Sequence, residues 1–99
     1  MNRITLYDDI GNYVGWFDRD KAKVVAMNFN ENGVYLSGKK LLKTAKGNFV
    51  VYIWSNDGPD VYVPNPTDKQ IVEIITKDNE ADIDTLPDNI KKIINEYEY

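Results

Sequence analysis

Two sets of side chains in this chain have the types and spacing for chemistry, and in both cases the chemistry is recognition. Lys39, Lys40, Lys43 and Lys46 crowd into eight residues. A strand pair carrying them could track the phosphates of a nucleic acid or meet an acidic partner. Tyr13, Trp16, Tyr52, Trp54 and Tyr62, joined by Tyr7, all fall on expected strands, so several could line one sheet face. Tyr and Trp supply large contact area at small entropic cost, which is why they concentrate at protein interfaces. Each set also has a plainer explanation. Lysines keep a hairpin solvated and protected from edge pairing, and rings on strands fill cores.

Other chemistry is excluded by what the composition lacks. The chain has no His and no Cys, which removes Ser-His-Asp and Cys-His catalysis, thiolate metal sites and disulfides. Ser37 and Ser55 have no His partner, and Gly11, Gly15 and Gly33 form no phosphate-binding loop. Asp8 and Asp9, and Asp57 and Asp60 around Gly58-Pro59, occupy turns and lack the spacing of a calcium loop. Turn chemistry accounts for them. The expectation is a protein with no catalytic residue, no metal and no cofactor, hence not an enzyme.

Charge is unevenly distributed. Residues 19–48 carry seven Lys and Arg against two carboxylates, whereas residues 49–99 carry four Lys against eleven carboxylates. The chain as a whole is net −4 with a pI near 4.7, which disfavours a dedicated nucleic-acid binder, and lysine alone reads no sequence. Asp78, Glu80, Asp82, Asp84, Asp88, Glu96 and Glu98 could imitate a phosphate row, but Lys91 and Lys92 interrupt it, and a solvated acidic tail explains them as well.

The elements that must position these residues follow from periodicity. Ninety-nine residues suit one domain able to bury a core. Arg3 to Tyr7 alternates as a half-buried strand, Asp8 to Asn12 supplies a turn, and Tyr13 to Phe17 returns. Asp18 is placed to cap a helix in which Ala22, Val25 and Ala26 share a face, with Phe17 and Ala22 at staple positions. A strand from Val24 to Phe29 is the rival, favoured locally by Val24 and Val25; the helix is the expectation. Asn28 to Gly33 reads as a turn, Val34 to Leu36 as a short strand, and Leu41 to Thr44 leads through Ala45-Lys46-Gly47 into the strand Asn48 to Trp54. Both faces of that last strand, Phe49/Val51/Ile53 and Val50/Tyr52/Trp54, are apolar, so it belongs inside the sheet. Asp60 to Val63 is a further strand, stopped by Pro64 and Pro66. Thr67 with Gln70 makes a capping box ahead of the Ile71, Ile74, Ile75 stripe. Thr85 with Asp88 makes a second ahead of Leu86, Ile90, Ile93, Ile94 and Tyr97.

Gly15-Trp16-Phe17-Asp18, the segment Leu42-Lys43-Thr44-Ala45-Lys46-Gly47-Asn48-Phe49-Val50-Val51, Trp54-Ser55 and Tyr62 together resemble a group of small uncharacterised bacterial and mobile-element proteins. The group carries a larger aromatic in place of Leu42 and a Trp in place of Phe49. The acidic C-terminal helix lies outside the resemblance. It implies a compact α+β module, encoded on a phage or other mobile element, and no catalytic residue.

The expected fold is therefore a single α+β domain, an antiparallel twisted sheet of five or six strands with two or three short helices on one face. Residues 1–77 form the core domain, 78–84 an acidic linker, and 85–99 an amphipathic helix on or extending from that core. The expected role is a non-enzymatic protein-binding module, a mobile-element factor that binds and inhibits or regulates a host defence protein. The alternative is a nucleic-acid binder using the lysine hairpin and neighbouring aromatics. No stretch approaches the roughly 20 apolar residues of a membrane helix, and no signal-peptide pattern opens the chain. A cytoplasmic protein with a protein partner is expected, its oligomeric state open.

Overall fold

Six antiparallel strands and two α-helices make an α+β domain, described by a computed structural model for the backbone of residues 1–32 and 35–99 and the side chains of 1–29 and 36–99. The strands are β1 (Arg3–Tyr7), β2 (Tyr13–Asp18), β3 (Lys23–Asn32), β4 (Tyr35–Lys43), β5 (Phe49–Ser55) and β6 (Val61–Pro64). The helices are α1 (Asp68–Lys77) and α2 (Asp88–Glu96). The strands do not form one sheet as expected: β1 and β2 pair only with each other, and the second sheet has the order β3-β4-β5-β6. The reason is that the β1–β2 ribbon meets the larger sheet through side chains. Leu6 and Phe17 pack on Leu42 and Val50 rather than extending a ladder.

The opening hairpin follows from its turn. The Asp8 carboxylate accepts the N–H groups of Ile10 and Asn12 at 3.1 and 2.8 Å, and Gly11 takes the positive φ of 87° that closes it. Asp18 acts as the expected cap, accepting the Asp20 N–H at 3.1 Å and the Asn2 N–H at 3.0 Å. The helix it opens is a single 3-10 turn, Arg19–Lys21. The rest of the expected helix is strand β3, and the turn expected from Asn28 is strand through Asn32. Gly33 and Val34 of the expected turn and strand lie outside the described residues. A register shift between Val24 and Ala26 sends both Val25 and Ala26 into one apolar cluster, which imitates the clustering of a helical face. Pairing with β4 along the strand outweighs that local pattern.

β4 and β5 each have a neighbour on both sides, and the two apolar faces of β5 feed two cores. Phe49, Val51 and Ile53 join Leu41, Ala26, the α1 residues Ile71, Ile74 and Ile75, and Ile90 of α2. Val50 and Tyr52 join Leu42, Leu6 and Phe17. Leu41 and Leu42 are both fully buried although they point to opposite sides, which removes each from water completely and anchors the sheet between its two clusters.

Helix α1 begins at the expected capping box, Gln70 N–H donating to Thr67 Oγ1 at 3.2 Å and Thr67 N–H to Gln70 Oε1 at 2.8 Å. The second expected box does not form. Thr85 Oγ1 donates instead to the Asp82 carbonyl at 3.0 Å within a 3-10 turn, Ile83–Thr85, and α2 starts after Pro87 with no side-chain cap. In the acidic stretch before it, Ala81 packs on the helix-side cluster, and Asp78 Oδ2 accepts the Met27 N–H of β3 at 2.9 Å.

Candidate interaction surface

The register of the four-stranded sheet lines up side chains in rows on the face that carries Leu42 and Val50. One row crosses all four strands as Met27, Lys40, Tyr52 and Tyr62; the next is Phe29, Gly38 and Trp54. The β1–β2 ribbon lies over Leu42 and Val50 and reaches Tyr62, whose ring meets Phe17 edge-on at 5.7 Å. On β3, Val24, Met27 and Phe29 are 49, 40 and 48% exposed.

Gly38 gives this face its shape. A Cβ there would stand 2.9 Å from three atoms of the Trp54 indole, so the ring lies down across β4 because the position has no side chain. It reaches Phe29 on β3, with ring centroids 5.7 Å apart at a 38° tilt. The indole Nε1 is buried against the sheet with no hydrogen-bond partner among the described residues. Leaving a buried donor unpaired costs roughly 1–3 kcal/mol, offset here by the apolar ring area laid on the sheet.

In the next row, Tyr52 and Tyr62 stack at 4.7 Å and 14°, and the Arg19 guanidinium stands 6.0 Å over the Tyr52 ring, at the outer reach of a cation–π contact. Burial pushes the Tyr52 phenol above its usual range, and a hydrogen bond to the Asp60 carboxylate adds to the shift. This half of the surface is therefore held in place.

The expected site residues separate into two places. Tyr52, Trp54 and Tyr62 share the sheet face, half-buried. Tyr13 and Trp16 are on the ribbon, 64 and 54% exposed, where Tyr7 and Tyr13 make an edge-on pair at 6.5 Å. The lysines diverge further. Lys40 lies in the aromatic row, while Lys39, its neighbour on the opposite face, is close enough to α1 to help hold the Glu73 carboxyl below its usual range after the dominant Lys77 hydrogen bond. Lys43 pairs across the sheet with Lys23 and Phe49, and Lys46 stands exposed in the β4–β5 turn. Among the described residues no group of three or more acidic side chains converges as metal ligands, and no helix is long and apolar enough to cross a membrane.

Arg19, Val24, Met27, Phe29 and Gly38 also belong to this surface; the helix expected after Asp18 obscured Arg19 and Val24, the turn expected from Asn28 obscured Phe29, and Gly38 lies between the segments expected at Val34 to Leu36 and Leu41 to Thr44. Their signal was the alternation of Met27 and Phe29 with Asn28, a period of two. Comparison with known protein families, with curated proteins and with solved structures finds no match for this chain.

Proposed function

We propose that the chain is a non-enzymatic protein-binding module whose partner seats on the sheet face of Met27, Phe29, Trp54 and the Lys40–Tyr52–Tyr62 row. The observation that carries this reading is the half-exposed column Val24, Met27 and Phe29 beside an indole laid flat on Gly38. Aromatic rings, Met and Arg are the residue types that interface cores favour. Aliphatic Val24 and Met27 offer no ring for a base to stack on, which favours an apolar protein surface over a nucleic acid. Lys40 and Arg19 call for carboxylates on the partner where they border the rings. The nucleic-acid alternative loses support from the divergence of Lys39, Lys40, Lys43 and Lys46. The mobile-element resemblance extends the reading to a factor that occupies a host protein and inhibits or regulates it.

Capture from a host lysate, with and without nuclease, tests this when the wild type is compared with Phe29→Ala. Phe29 is exposed, so the variant keeps the wild-type circular dichroism spectrum. A protein partner retained through nuclease treatment and lost with Phe29→Ala is the expected result. Capture that vanishes with nuclease, or that Phe29→Ala leaves intact, overturns the reading.

A further inference from the structure

A groove of about 390 Å³ opens between the β1–β2 ribbon and the β4–β5 turn, reaching the same sheet face as the Phe29–Trp54 row but at Val50, four residues along β5 from Trp54. Its volume lies in the range of small-molecule sites, on the order of 300–1,000 Å³. The residual exposure of Leu6, Phe17 and Val50, side chains of the ribbon-side core, faces into it. Trp16 and Val14 of β2 also line it and are themselves 54 and 43% exposed.

The groove is apolar at its base and cationic where Lys46 and Lys21 line it from two different elements. Neither lysine is in an ion pair among the described residues. Asp18, the carboxylate that also lines the groove, is engaged by the N–H groups of Asn2 and Asp20. The Asn2 hydrogen bond holds its pKa below the usual value, and Lys21 adds to that effect. The Met1 ammonium, also at the groove, is held 3.6 Å from the Asp20 carboxylate, so among the described residues Lys46 and Lys21 are the cations there without an ion pair. An apolar cleft with two unpaired lysines at its edge and one engaged carboxylate suits a ligand with an apolar body and a single negative group. A polyanion would meet Asp18 and apolar walls, and a neutral apolar ligand would leave the lysine contact unused.

We propose that this groove binds a small amphipathic anion, an apolar acyl or aryl body bearing one carboxylate, with the body against Leu6, Phe17 and Val50 and the carboxylate at Lys46 and Lys21. The ligand is a free small molecule, in keeping with a groove volume of about 390 Å³.

Titrating the ¹⁵N-labelled chain with octanoate, with octanamide as the neutral comparator, reads the proposal directly. Saturable shifts at the amides of Val14, Trp16, Lys46 and Asn48 are expected, with octanamide about tenfold weaker, the worth of one charge-assisted contact. Lys46→Gln, a change at an exposed turn position, should weaken octanoate to the level of octanamide and leave octanamide unaffected. Shifts that fail to saturate, equal affinity for acid and amide, or shifts confined to the Phe29–Gly38–Trp54 row overturn it. So does saturable binding of an N-acetylated peptide ending in a free Leu carboxylate by a protein that ignores octanoate, since the occupant would then be a peptide terminus.

Discussion

Gly38 and Trp54 show how one residue without a side chain shapes a surface. With a methyl at position 38 only 2.9 Å from Cε2, Cζ2 and Nε1 of Trp54, the indole would have to rise from β4 and lose its contact with Phe29. Gly38→Ala should therefore cost about 1–3 kcal/mol, as overpacking does, lower the urea midpoint and shift the Trp emission. An unchanged midpoint together with unchanged emission would mean the ring is not held against β4. Tyr52, in the next row, has a phenol whose neutral form is favoured in the fold by burial and by the Asp60 hydrogen bond. Its folded pKa is raised above 10.0, the unfolded reference. The stability this contributes is fully present below that value and lost as pH rises through the folded pKa. Tyr52→Phe should accordingly show a flatter decline of urea midpoint than the wild type above about pH 10, the other tyrosines being common to both. Parallel declines would count against the burial of the phenol together with its Asp60 contact.

Among the elements, β3 has one side without a strand neighbour in the β3-β4-β5-β6 sheet, and an open strand edge is a template for unwanted pairing. Asp78 answers this at one point. As the C-cap of α1, it accepts the Met27 N–H through Oδ2 and the Glu80 N–H through Oδ1, at 2.9 and 3.0 Å. Asp78→Ala should destabilise the domain by about 1–2 kcal/mol, speed hydrogen exchange at the Met27 amide and promote concentration-dependent association. Asp78→Asn, which keeps an acceptor oxygen, should fall between the two. A Met27 amide that exchanges at the wild-type rate in Asp78→Ala would remove this role. Such a contact, spanning 51 residues, was not legible in the sequence, whereas elements specified locally were. The Asp8 turn, the Thr67–Gln70 box and the two-sided apolar run of β5 each carry their cause within a few residues. β3 was legible only as the rival strand from Val24 to Phe29, because the shift after Val24 places Val25 and Ala26 together and so imitates a helix. The surface went with it: Tyr52, Trp54 and Tyr62 were readable as strand aromatics, but Met27 and Phe29 could join them only once β3 was known to be a strand. The separation of the ribbon from the larger sheet depends on Leu6 and Phe17 meeting Leu42 and Val50, contacts between distant segments that periodicity does not encode.

At the scale of the whole molecule, the two proposed recognition modes for the sheet face differ in how they use charge. Seven of the twelve Lys and Arg residues lie in residues 19–48 and eleven of the sixteen carboxylates in residues 49–99, so the chain is polarised although net −4. Of those cations, Lys40 lies in the Tyr52–Tyr62 row and Arg19 stands over the Tyr52 ring, and Asp60 is also near Tyr52. A protein partner seated on this face would gain its lifetime from the rings and its encounter rate from the cations. Lys40→Gln should then slow association with little effect on dissociation, Phe29→Ala should speed dissociation, and affinity should fall only modestly with added salt. Phosphate binding predicts a different pattern: the logarithm of affinity falls linearly with that of salt concentration, with a slope of roughly 0.7–0.9 per phosphate neutralised. Neutralising Lys39, Lys40, Lys43 and Lys46 together would then abolish binding. Because these lysines occupy both sheet faces and the turn, no single strand could engage all four at once, and the slope expected for the purified protein on single-stranded RNA or DNA is shallow. A steep slope equivalent to about three or four released counterions, removed by the fourfold substitution, would overturn the protein-binding reading in favour of nucleic acid.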